Sequence, residues 1–445
     1  MTIKVRFAPS PTGFLHVGNI RAALINYLYA KKNNGEFFLR FDNTDIERTK
    51  EEYAKAIIED LKWLNIDYDR IYKQSDNLDR YEECKNKLIA ANRLYECYET
   101  QGDLNIQRKS QIASGQKPIY NRASLNLTKE QKQKFRDSGL KPYYRFLLED
   151  KKTSWDDKIK GKIIYEGRHF SDPVLIRENG SPTYTFCSVV DDIDHNITDI
   201  IRGEDHITNT AIQIQIFESL EAKVPNFAHL ALVQAVSGKI SKRIGGFDIR
   251  SLRQQGFENM TLNNFLTQIG TSKAVEIHKN LDEIINDFSF NKFSKSATKY
   301  DINELNIINQ KLLQIIDFSE VKEKILSYDI SQNISEDFFN KIRPNLNFLH
   351  EIKDWAEICL SEFYHPNKNE DKEFLKIVAN LTPEDTKSPD CWQNWLQKVK
   401  EKTDRKGKNL FMPIRLALSG KEHGPEIATL VNLIDRDKII KRLQN

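Results

Sequence analysis

Cysteine is scarce in this sequence, and long apolar segments are missing from it. Five cysteines are spread over 445 residues at wide spacings that form no disulfide framework, so we expect a reducing cytoplasm as the location of the protein. No apolar run is long enough to span a bilayer, and the first residues read as a strand and a turn rather than as a signal peptide. The sequence therefore predicts a soluble globular protein with no membrane partner.

Charge of one sign is not in excess either. Lysine and arginine together number 67 against 64 aspartates and glutamates, a formal net charge of +3. This balance permits RNA binding through a local basic patch but does not demand it. No internal repeat or low-complexity tract is present, and the length predicts several domains, each with a core of its own.

A glycine- and proline-rich turn at residues 9–18 is the most informative segment, and it reads Pro-Ser-Pro-Thr-Gly-Phe-Leu-His-Val-Gly. Alternating apolar residues predict a strand before the turn, and an apolar face with helical spacing predicts a helix after it. Such a junction presents backbone N–H groups and the positive helix end to phosphate. We interpret the turn as a nucleotide site, in which His16 donates a hydrogen bond to phosphate and Gly18 lets an adenine ring approach the helix.

Other nucleotide sites fit this turn less well. Its two glycines have P-loop spacing, but Asn19 and Ile20 stand where a P-loop has lysine and Ser/Thr. No Gly-x-Gly-x-x-Gly is present, and the His-x-Gly-His turn of nucleotidyltransferases would need a histidine in place of Asn19. Taken alone, the turn is also compatible with an ordinary strand–turn–helix that carries an exposed histidine.

A short basic segment at residues 239–243, Lys-Ile-Ser-Lys-Arg, is the second motif. Alone, such a run is usually a solvated loop. Here the apolar run at residues 230–233 predicts a strand before it, and a pair of glycines follows it. A mobile loop with two lysines can close over a triphosphate and stabilise charge on the departing pyrophosphate. We expect His16, Lys239 and Lys242 to be the catalytic residues.

The two motifs together resemble the ATP-binding signatures of class I aminoacyl-tRNA synthetases. Residues 182–184, Pro-Thr-Tyr, and 201–206, Ile-Arg-Gly-Glu-Asp-His, resemble the glutamyl-tRNA synthetases in particular, as does the block at residues 406–425. Asn19, where the general class I pattern has histidine, is a mild departure that the glutamyl branch tolerates. The resemblance covers nearly the whole chain. It implies a ligase that uses ATP and Mg²⁺ to form glutamyl-adenylate and then transfers glutamate to the 3′ end of tRNA.

The resemblance implies roles for two sets of residues. For ATP binding they are Thr12, His16, Gly18, Asp205, Lys239, Ser241 and Lys242. For glutamate binding they are Arg6, Ser10, Asp42, Tyr184, Ser188 and Arg202. Arginine suits a side-chain carboxylate because its guanidinium binds both oxygens; Arg6 on the first strand and Arg202 after a later strand are the candidates. Asp42 stands where the family has a longer glutamate that holds the α-amino group, so its reach is shorter by one methylene.

The same resemblance implies an α/β protein with a Rossmann-like catalytic domain, an inserted acceptor-binding domain and an all-α C-terminal anticodon-binding region. The predicted boundaries are 1–80 and 183–236 for the catalytic domain, 81–182 for the inserted tRNA acceptor-end domain, 237–315 for the stem-contact domain with the Lys-Ile-Ser-Lys-Arg loop, and 316–445 for the anticodon-binding region. Residues 107–111 read as a polar loop of the insertion. Ser388 and Pro389 predict a helix start, and Trp392 and Trp395 behind them are predicted to be helix core.

Some glutamyl-tRNA synthetases hold zinc in the inserted domain, through a Cys-x-Cys pair and a later Cys-x-His pair. Here Cys97 is followed by Tyr98 and Glu99, and the later position reads Tyr-Asn-Arg at residues 120–122. One thiolate cannot build a tetrahedral zinc site, so we expect no structural zinc and a packed Cys97 thiol. We assign no metal ligands in this chain.

Related alternatives differ in their C-terminal halves or in their motifs. A glutaminyl-tRNA synthetase has β-barrel anticodon domains, for which this chain shows no alternating pattern. The short tRNA-modifying relatives lack a counterpart of residues 300–445, and the intact motifs disfavour a catalytically silent tRNA-binding paralogue. We expect a monomer that binds L-glutamate and tRNA(Glu) and that needs bound tRNA to activate glutamate. Whether it also charges tRNA(Gln) stays open, because one anticodon base can separate the two tRNAs.

Overall fold

The computed structural model describes residues 2–45, 47–235, 248–271, 276–331, 333–362 and 371–444. The chain divides into two compact units, the first formed by Met1–Gln254 and Leu262–Asp301 and the second by Gln255–Thr261 and Ile302–Asn445. The basic motif at residues 239–243, and with it Lys239, Ser241 and Lys242, lies outside the described residues.

All strands of the described residues belong to the first unit. They are β1 (Lys4–Phe7), β2 (Glu36–Phe41), β3 (Arg70–Lys73), β4 (Leu94–Cys97), β5 (Tyr143–Phe146), β6 (Lys152–Asp157), β7 (Gly161–Glu166), β8 (Val174–Ile176), β9 (Asp199–Gly203), β10 (Asn226–Leu230), β11 (Val233–Ala235) and β12 (Thr298–Tyr300).

The helices that accompany these strands are α1 (Val17–Lys32), α2 (Glu51–Trp63), α3 (Leu78–Ala90), α4 (Gln101–Ala113), α5 (Lys129–Asp137), α6 (Tyr184–Asp194), α7 (Ile207–Ser219), α8 (Ile249–Gln255), α9 (Asn259–Gln268) and α10 (Leu281–Asp287). Helices α8 and α9 contribute terminal residues to the second unit. None of the helices in the described part of the chain is both long and apolar enough to cross a membrane.

Two sheets meet at the centre of the first unit. In one, the parallel strands have the order β1-β2-β3; in the other the order is β7-β6-β10-β9, parallel except for β7. Lys4 N donates to Thr198 Oγ1 (2.8 Å) and Thr198 N donates to Lys4 O (2.9 Å), so the start of β9 lies beside the start of β1. The carboxyl ends of β1, β2 and β9 therefore lie at one end of the joined sheet, where α/β proteins bind nucleotides. The predicted α/β fold is confirmed.

The prediction of a polar loop at residues 107–111 is wrong, because the segment lies inside α4. A capping box starts this helix: Thr100 Oγ1 accepts from Asp103 N (3.2 Å), and Asp103 Oδ2 accepts from Thr100 N (2.9 Å). None of the α4 side chains is buried, so the helix lacks the apolar period by which the sequence could have revealed it.

The single strand predicted at residues 230–233 is also wrong, because two residues separate β10 from β11. Ala231 O accepts from Arg21 Nη1 (3.0 Å), and Leu232 N donates to Glu204 Oε1 (3.0 Å). Side chains thus bind backbone groups that a neighbouring strand would otherwise bind, and the strand is interrupted there.

In the described residues of the second unit, every regular element is a helix. Its helices are α11 (Ile302–Ile315), α12 (Phe318–Leu326), α13 (Glu336–Ile342), α14 (Ile352–Leu360), α15 (Lys372–Asn380), α16 (Cys391–Thr403), α17 (Lys408–Ser419), α18 (Ile427–Leu433) and α19 (Arg436–Gln444). This confirms the predicted all-α C-terminal region. Trp395 lies in the core as predicted and donates to Val378 O (3.1 Å), whereas Trp392 is only partly buried against that core.

The helix start predicted at Ser388 and Pro389 is wrong. Helix α16 begins at Cys391, after Asp390, and the Asp390 side chain makes no capping hydrogen bond. Instead Ser388 O accepts from Cys391 N (3.1 Å), so Ser388 and Pro389 belong to a turn before the helix.

Candidate active site

Two buried arginines lie next to each other at the carboxyl end of the joined sheet. Arg6 on β1 is in register with Phe38 of β2, so Arg40, two residues further along β2, leaves the same face of the sheet. Both reach Asp192 on α6: Arg6 Nε and Nη2 donate to its two oxygens (3.0 and 3.2 Å), and Arg40 Nη1 donates to Oδ1 (3.0 Å). Helix α6 thus supplies the carboxylate that these two arginines share.

Asp42 follows β2 directly and binds Arg40. Arg40 Nε donates to Asp42 Oδ1 (2.6 Å) and Nη2 donates to Oδ2 (3.3 Å). Burial raises the pKa of Asp42 to about 6, although Arg40 acts in the opposite direction. Burial alone would lower the pKa of Arg40, but the carboxylates of Asp42, Asp192 and Asp191 outweigh it and hold this pKa well above its ordinary value. Arg40 is therefore a permanent cation.

Asp191 completes this group of charges. Its oxygens accept hydrogen bonds from Gln74 Nε2 (2.8 Å), Asn77 Nδ2 (3.1 Å) and Tyr81 Oη (2.7 Å), and Oδ2 lies 3.7 Å from Arg40 Nε. No role was predicted from the sequence for Arg40, Asp191 or Asp192. A signal was present, because a charged residue inside an apolar strand segment is buried and needs a charged partner elsewhere in the fold.

Arg202 lies within β9, whereas the sequence places it after a strand, and it is buried. Its Nη1 lies 3.3 Å from Tyr184 Oη, and its Nη2 donates to Thr210 Oγ1 (2.6 Å) and Gln213 Oε1 (2.7 Å). In the described part of the chain no carboxylate lies within ion-pair distance of Arg202, and its Nε has no hydrogen-bond partner. Burial lowers the pKa of this guanidinium below its ordinary value.

Ser188 connects the pair formed by Arg6 and Arg40 to Arg202. Its Oγ accepts from Gln213 Nε2 (2.6 Å), and its carbonyl oxygen accepts from Arg40 Nη1 (3.5 Å). The fold therefore brings five of the six predicted glutamate-binding residues into one connected hydrogen-bond network: Arg6, Asp42, Tyr184, Ser188 and Arg202. Ser10 is exposed, and among the described residues no hydrogen bond joins it to this network; its carbonyl oxygen accepts from Thr12 N (2.8 Å).

His16 is the N-cap of α1. Its ring Nδ1 accepts from Gly18 N (3.1 Å) and Asn19 N (3.4 Å), and Asn19 Oδ1 accepts from His16 N (3.4 Å). Because Nδ1 accepts, the proton of the neutral ring is on Nε2, which is then a donor. A Cβ atom on Gly18 would lie only 3.1 Å from His16 Cε1, so the missing side chain makes room for this ring.

The other predicted ATP-binding residues in the described chain are on the surface. Thr12 is exposed on the turn before α1, and Asp205 is exposed after β9, where its Oδ2 lies 3.8 Å from His206 Nε2. Burial lowers the pKa of His206 to about 4, with help from nearby Arg202, so this ring is neutral at physiological pH.

Cys97 is buried, and its Sγ lies 3.7 Å from the Tyr120 hydroxyl. Burial raises the pKa of the thiol to about 11, so it stays protonated. Beside it, Glu99 accepts from Tyr120 Oη (2.7 Å), Ser124 Oγ (2.8 Å) and Tyr143 Oη (3.2 Å). The predicted packed thiol is confirmed; the absence of zinc stays a prediction.

One group of potential metal ligands occurs among the residues that the structure describes. Glu276, His278 and Asp287 offer ligand atoms within 4.8 Å of one another. Lys292 Nζ binds Asp287 Oδ1 (2.5 Å), so a cation already neutralises this carboxylate. We assign no metal to the group.

Comparison with known proteins identifies the family. Residues 2–307 match the family model for tRNA synthetases class I (E and Q), catalytic domain, and residues 309–445 match the model for an anticodon binding domain. The chain belongs to the class I tRNA synthetases. As a member of this class, it uses ATP.

Relatives of this class I synthetase match it from end to end. Glutamate–tRNA ligase 1 of Rickettsia felis (strain ATCC VR-1525 / URRWXCal2) is 51% identical over 442 residues, which cover 99% of each chain. Glutamate–tRNA ligase 2 of Rickettsia canadensis (strain McKiel) is 52% identical over 439 residues, 98% of each chain. The crystal structure of a glutamate tRNA ligase from Elizabethkingia meningosepticum CCUG26117 in complex with its amino acid has a TM-score of 0.84 at 25% identity, covering 100% of this chain and 98% of that one.

Proposed function

We propose that this class I synthetase is a glutamate–tRNA ligase. The α-carboxylate of L-glutamate attacks the α-phosphate of ATP, glutamyl-adenylate forms and pyrophosphate leaves. A hydroxyl at the 3′ end of tRNA(Glu) then takes the glutamyl group and AMP leaves. The similarity over the full length of chains named glutamate–tRNA ligase supports this reaction. It needs no side-chain nucleophile, so catalysis rests on positioning and on stabilisation of phosphate charge.

The uncompensated charge of Arg202 is the observation that carries the choice of glutamate. A buried cation without a counter-ion is costly, and the partners of this guanidinium in the described chain are the neutral side chains of Tyr184, Thr210 and Gln213. A substrate with a side-chain carboxylate would supply the missing negative charge. Glutamate does so, whereas the amide of glutamine offers an acceptor without the charge.

Three further residues support the same assignment. We assign Asp42 to bind the α-ammonium group of the glutamate substrate. Tyr184 offers its hydroxyl to the side-chain carboxylate of the same substrate. Arg6 binds both oxygens of Asp192 through Nε and Nη2, so it adds positive potential beside the site. Ser10 and Ser188 complete the proposed glutamate-binding set.

We also assign residues to ATP, among them hydrogen-bond donors to its phosphate oxygens. His16 would use its Nε2 proton, and Thr12, Gly18 and Asp205 complete the nucleotide-binding set on the described chain. Lys239, Ser241 and Lys242 are assigned to the triphosphate from their motif alone. We propose that Mg²⁺ enters as part of the MgATP substrate, bound to the phosphate oxygens.

The remaining assignments concern the domains of the enzyme, its location and its oligomeric state. We propose residues 81–182 as the acceptor-end domain, 237–315 as the stem-contact domain and 316–445 as the anticodon-binding region, around a catalytic domain of residues 1–80 and 183–236. We further propose a cytoplasmic monomer without structural zinc. All five cysteines are free and buried, which agrees with a reducing compartment.

Charging of purified tRNA(Glu) and tRNA(Gln), with glutamate or glutamine, tests the function directly. We expect glutamate to be used and tRNA(Glu) to be charged, and the tRNA(Gln) arm decides whether the second tRNA is a substrate. In ATP–pyrophosphate exchange with tRNA present, Arg202→Leu should lower kcat/KM for glutamate by about 100-fold, because a buried carboxylate loses its charge partner. Activation of glutamine as efficient as that of glutamate, or failure to charge either tRNA, would overturn the proposal.

A matched variant controls for the loss of an arginine from the same unit. Arg93 is half-buried and ion-paired with Glu149 (2.6 Å), outside the network around Arg202. Arg93→Leu should leave the glutamate KM within about twofold of wild type, since no substrate contact is assigned to it.

A further inference from the structure

A row of buried polar side chains continues from Arg202 into the sheet. Arg202 Nη2 donates to Thr210 Oγ1 (2.6 Å), Thr210 Oγ1 lies 2.9 Å from His229 Nε2, and His229 Nδ1 lies 2.5 Å from Asp157 Oδ2. The four residues are 6%, 0%, 0% and 4% exposed in that order. They come from β9, α7, β10 and β6, so four separate elements build the row.

The hydrogen bonds along this row can each be given a donor and an acceptor. Asp157 is an acceptor: Oδ1 accepts from His229 N (3.1 Å) and Oδ2 faces His229 Nδ1, which therefore carries the ring proton. Burial lowers the pKa of His229, although Asp157 acts against it, and this favours the neutral ring. The Nε2 of a neutral ring is an acceptor, and the Thr210 hydroxyl donates to it at 2.9 Å, a shorter distance than the 3.2 Å to its other acceptor, His206 O. Thr210 then presents lone pairs to Arg202, which can only donate.

The row also restricts what Arg202 can offer a ligand. Its Nη2 has two N–H groups, and Thr210 and Gln213 accept from them. Gln213 is itself held by Ser188 Oγ (2.6 Å). The Nη2 end of the guanidinium is thus bound on both sides by neutral acceptors whose own orientations are set by further hydrogen bonds. Rotation of the guanidinium plane would break both bonds in a buried place, where unpaired donors are costly.

We propose that Asp157, His229 and Thr210 are positioning residues that set the orientation of the Arg202 guanidinium and thereby the preference for glutamate over glutamine. This inference rests on the proposed function, because it requires Arg202 to bind the side-chain carboxylate. The three residues do not touch the substrate; they act through Arg202 alone. A loosened guanidinium keeps its charge but no longer holds its remaining donors, Nε and the second N–H of Nη1, towards the substrate carboxylate, so glutamate loses more than glutamine does.

Two substitutions at Thr210 separate the hydroxyl from the volume of the side chain. Thr210→Val removes the hydroxyl at nearly constant shape, and Thr210→Ser keeps it. We expect Thr210→Val to raise the glutamate KM about tenfold and to lower the glutamate-to-glutamine ratio of kcat/KM by a similar factor. The KM for ATP should stay within about twofold of wild type, and Thr210→Ser should behave like wild type.

Asp157→Asn is the second variant, and it acts two hydrogen bonds away from Arg202. An amide N–H facing His229 Nδ1 would move the ring proton to Nε2, and Thr210 would then have to accept from both sides. We expect a rise in the glutamate KM of about threefold, smaller than that of Thr210→Val, again without a change in the KM for ATP. Thermal unfolding of each variant identifies those that are folded.

The outcomes distinguish the inference from the proposed function. If the wild-type enzyme charges no tRNA with glutamate, the proposed function fails. If the wild type charges tRNA(Glu) but folded Thr210→Val keeps the wild-type KM and selectivity, the positioning role is wrong. Equal losses for glutamate and ATP would show a merely structural role and would also overturn the inference. Should Thr210→Val not fold, the same comparison is made with Asp157→Asn against Thr210→Ser.

Discussion

At the scale of single residues, the site is defined by how each buried charge is compensated. Arg6 and Arg40 share Asp192, and Asp42 is bound to Arg40, whereas Arg202 rests on neutral groups. Buried ion pairs add little net stability, but removal of one partner leaves an unpaired charge that costs about 3–5 kcal/mol. Arg202 is therefore the member of this network whose charge has no ion-pair partner among the described residues.

Asp42 should make glutamate binding depend on pH. Burial raises the pKa of its carboxyl to about 6, so at lower pH the free enzyme holds a neutral Asp42, which cannot pair with the substrate α-ammonium group. We expect the glutamate KM to be constant above about pH 7 and to rise as the pH falls, approaching about tenfold per pH unit below about pH 5.5. Exchange rates at varied glutamate concentration measure this dependence.

Asp42→Asn is the matched variant for that experiment, because it keeps the size of the side chain and removes its charge. Its glutamate KM should be high at every pH, without the rise on acidification. A wild-type KM that stays flat between about pH 7 and about pH 5 would contradict the role of Asp42.

At the scale of elements, Arg21 joins α1 to the end of α9 and to the segment between β10 and β11. Arg21 on α1 donates through Nε to Leu266 O (3.3 Å), through Nη1 to Ala231 O (3.0 Å) and through Nη2 to Ile269 O (2.9 Å). Leu266 and Ile269 lie at the C-terminal end of α9, where the helix dipole favours a cation. Burial lowers the pKa of Arg21 to about 10, so it remains charged at neutral pH.

Loss of this contact should weaken the fold. Arg21→Met leaves three buried carbonyl oxygens without their donor, and we expect a loss of about 2–4 kcal/mol in the free energy of unfolding, measured by denaturant titration. Arg21→Lys should recover only part of this loss, because a single ammonium lacks the fork that reaches all the carbonyls. Equal stability of Arg21→Met and the wild type would show that the contact does not hold α1.

The element that carries Cys97 should hold together without metal. Strand β4 ends at Cys97, and the Glu99 carboxylate beside it already binds the hydroxyls of Tyr120, Ser124 and Tyr143. We expect elemental analysis of protein purified from zinc-supplemented medium to find less than about 0.1 zinc per chain. A chelator should leave the unfolding midpoint unchanged; one tightly held zinc per chain would refute this prediction.

At the scale of the whole molecule, the chain forms two compact units. The segment 255–261 connects them covalently, and in the second unit Asn309 Oδ1 accepts from Glu258 N (3.1 Å) and Thr261 Oγ1 (2.7 Å). Lys324 Nζ binds both Glu258 oxygens (2.6 and 2.7 Å). The second unit therefore includes residues that precede the end of the catalytic family match in sequence.

Deletion of the residues after Ile315, the end of α11, should abolish charging of tRNA(Glu). The deletion removes the proposed anticodon-binding region, and exchange should fall as well because we expect glutamate activation to need bound tRNA. Asn309 is kept, so the contact to segment 255–261 partly remains. Charging and exchange assays are compared with the full chain, with circular dichroism as a check of folding. Charging at the full-length rate would contradict the assignment of the C-terminal helices.

Much of the fold follows from local signals in the sequence. The strand, turn and helix around His16, the α/β character of the first unit and the helices of the second unit depend on apolar period and turn residues, which act over a few positions. Predictions were wrong where that apolar period is absent, or where hydrogen bonds from side chains interrupt a strand. Helix α4 buries none of its side chains, and the strand at residues 230–233 is interrupted by bonds from Arg21 and Glu204.

By itself, the sequence determined the family and the reaction class, and it predicted most of the residues that the fold joins in one buried network, because the motifs keep these residue types at fixed spacings. Only the tertiary structure decided how the charges are shared. Asp192 lies 186 positions from Arg6, and Asp157 lies 72 positions from His229, so neither pairing has a local signal. The physical reason is that a buried charge selects its partner by distance and geometry, and both exist only after the strands and α6 have been brought together.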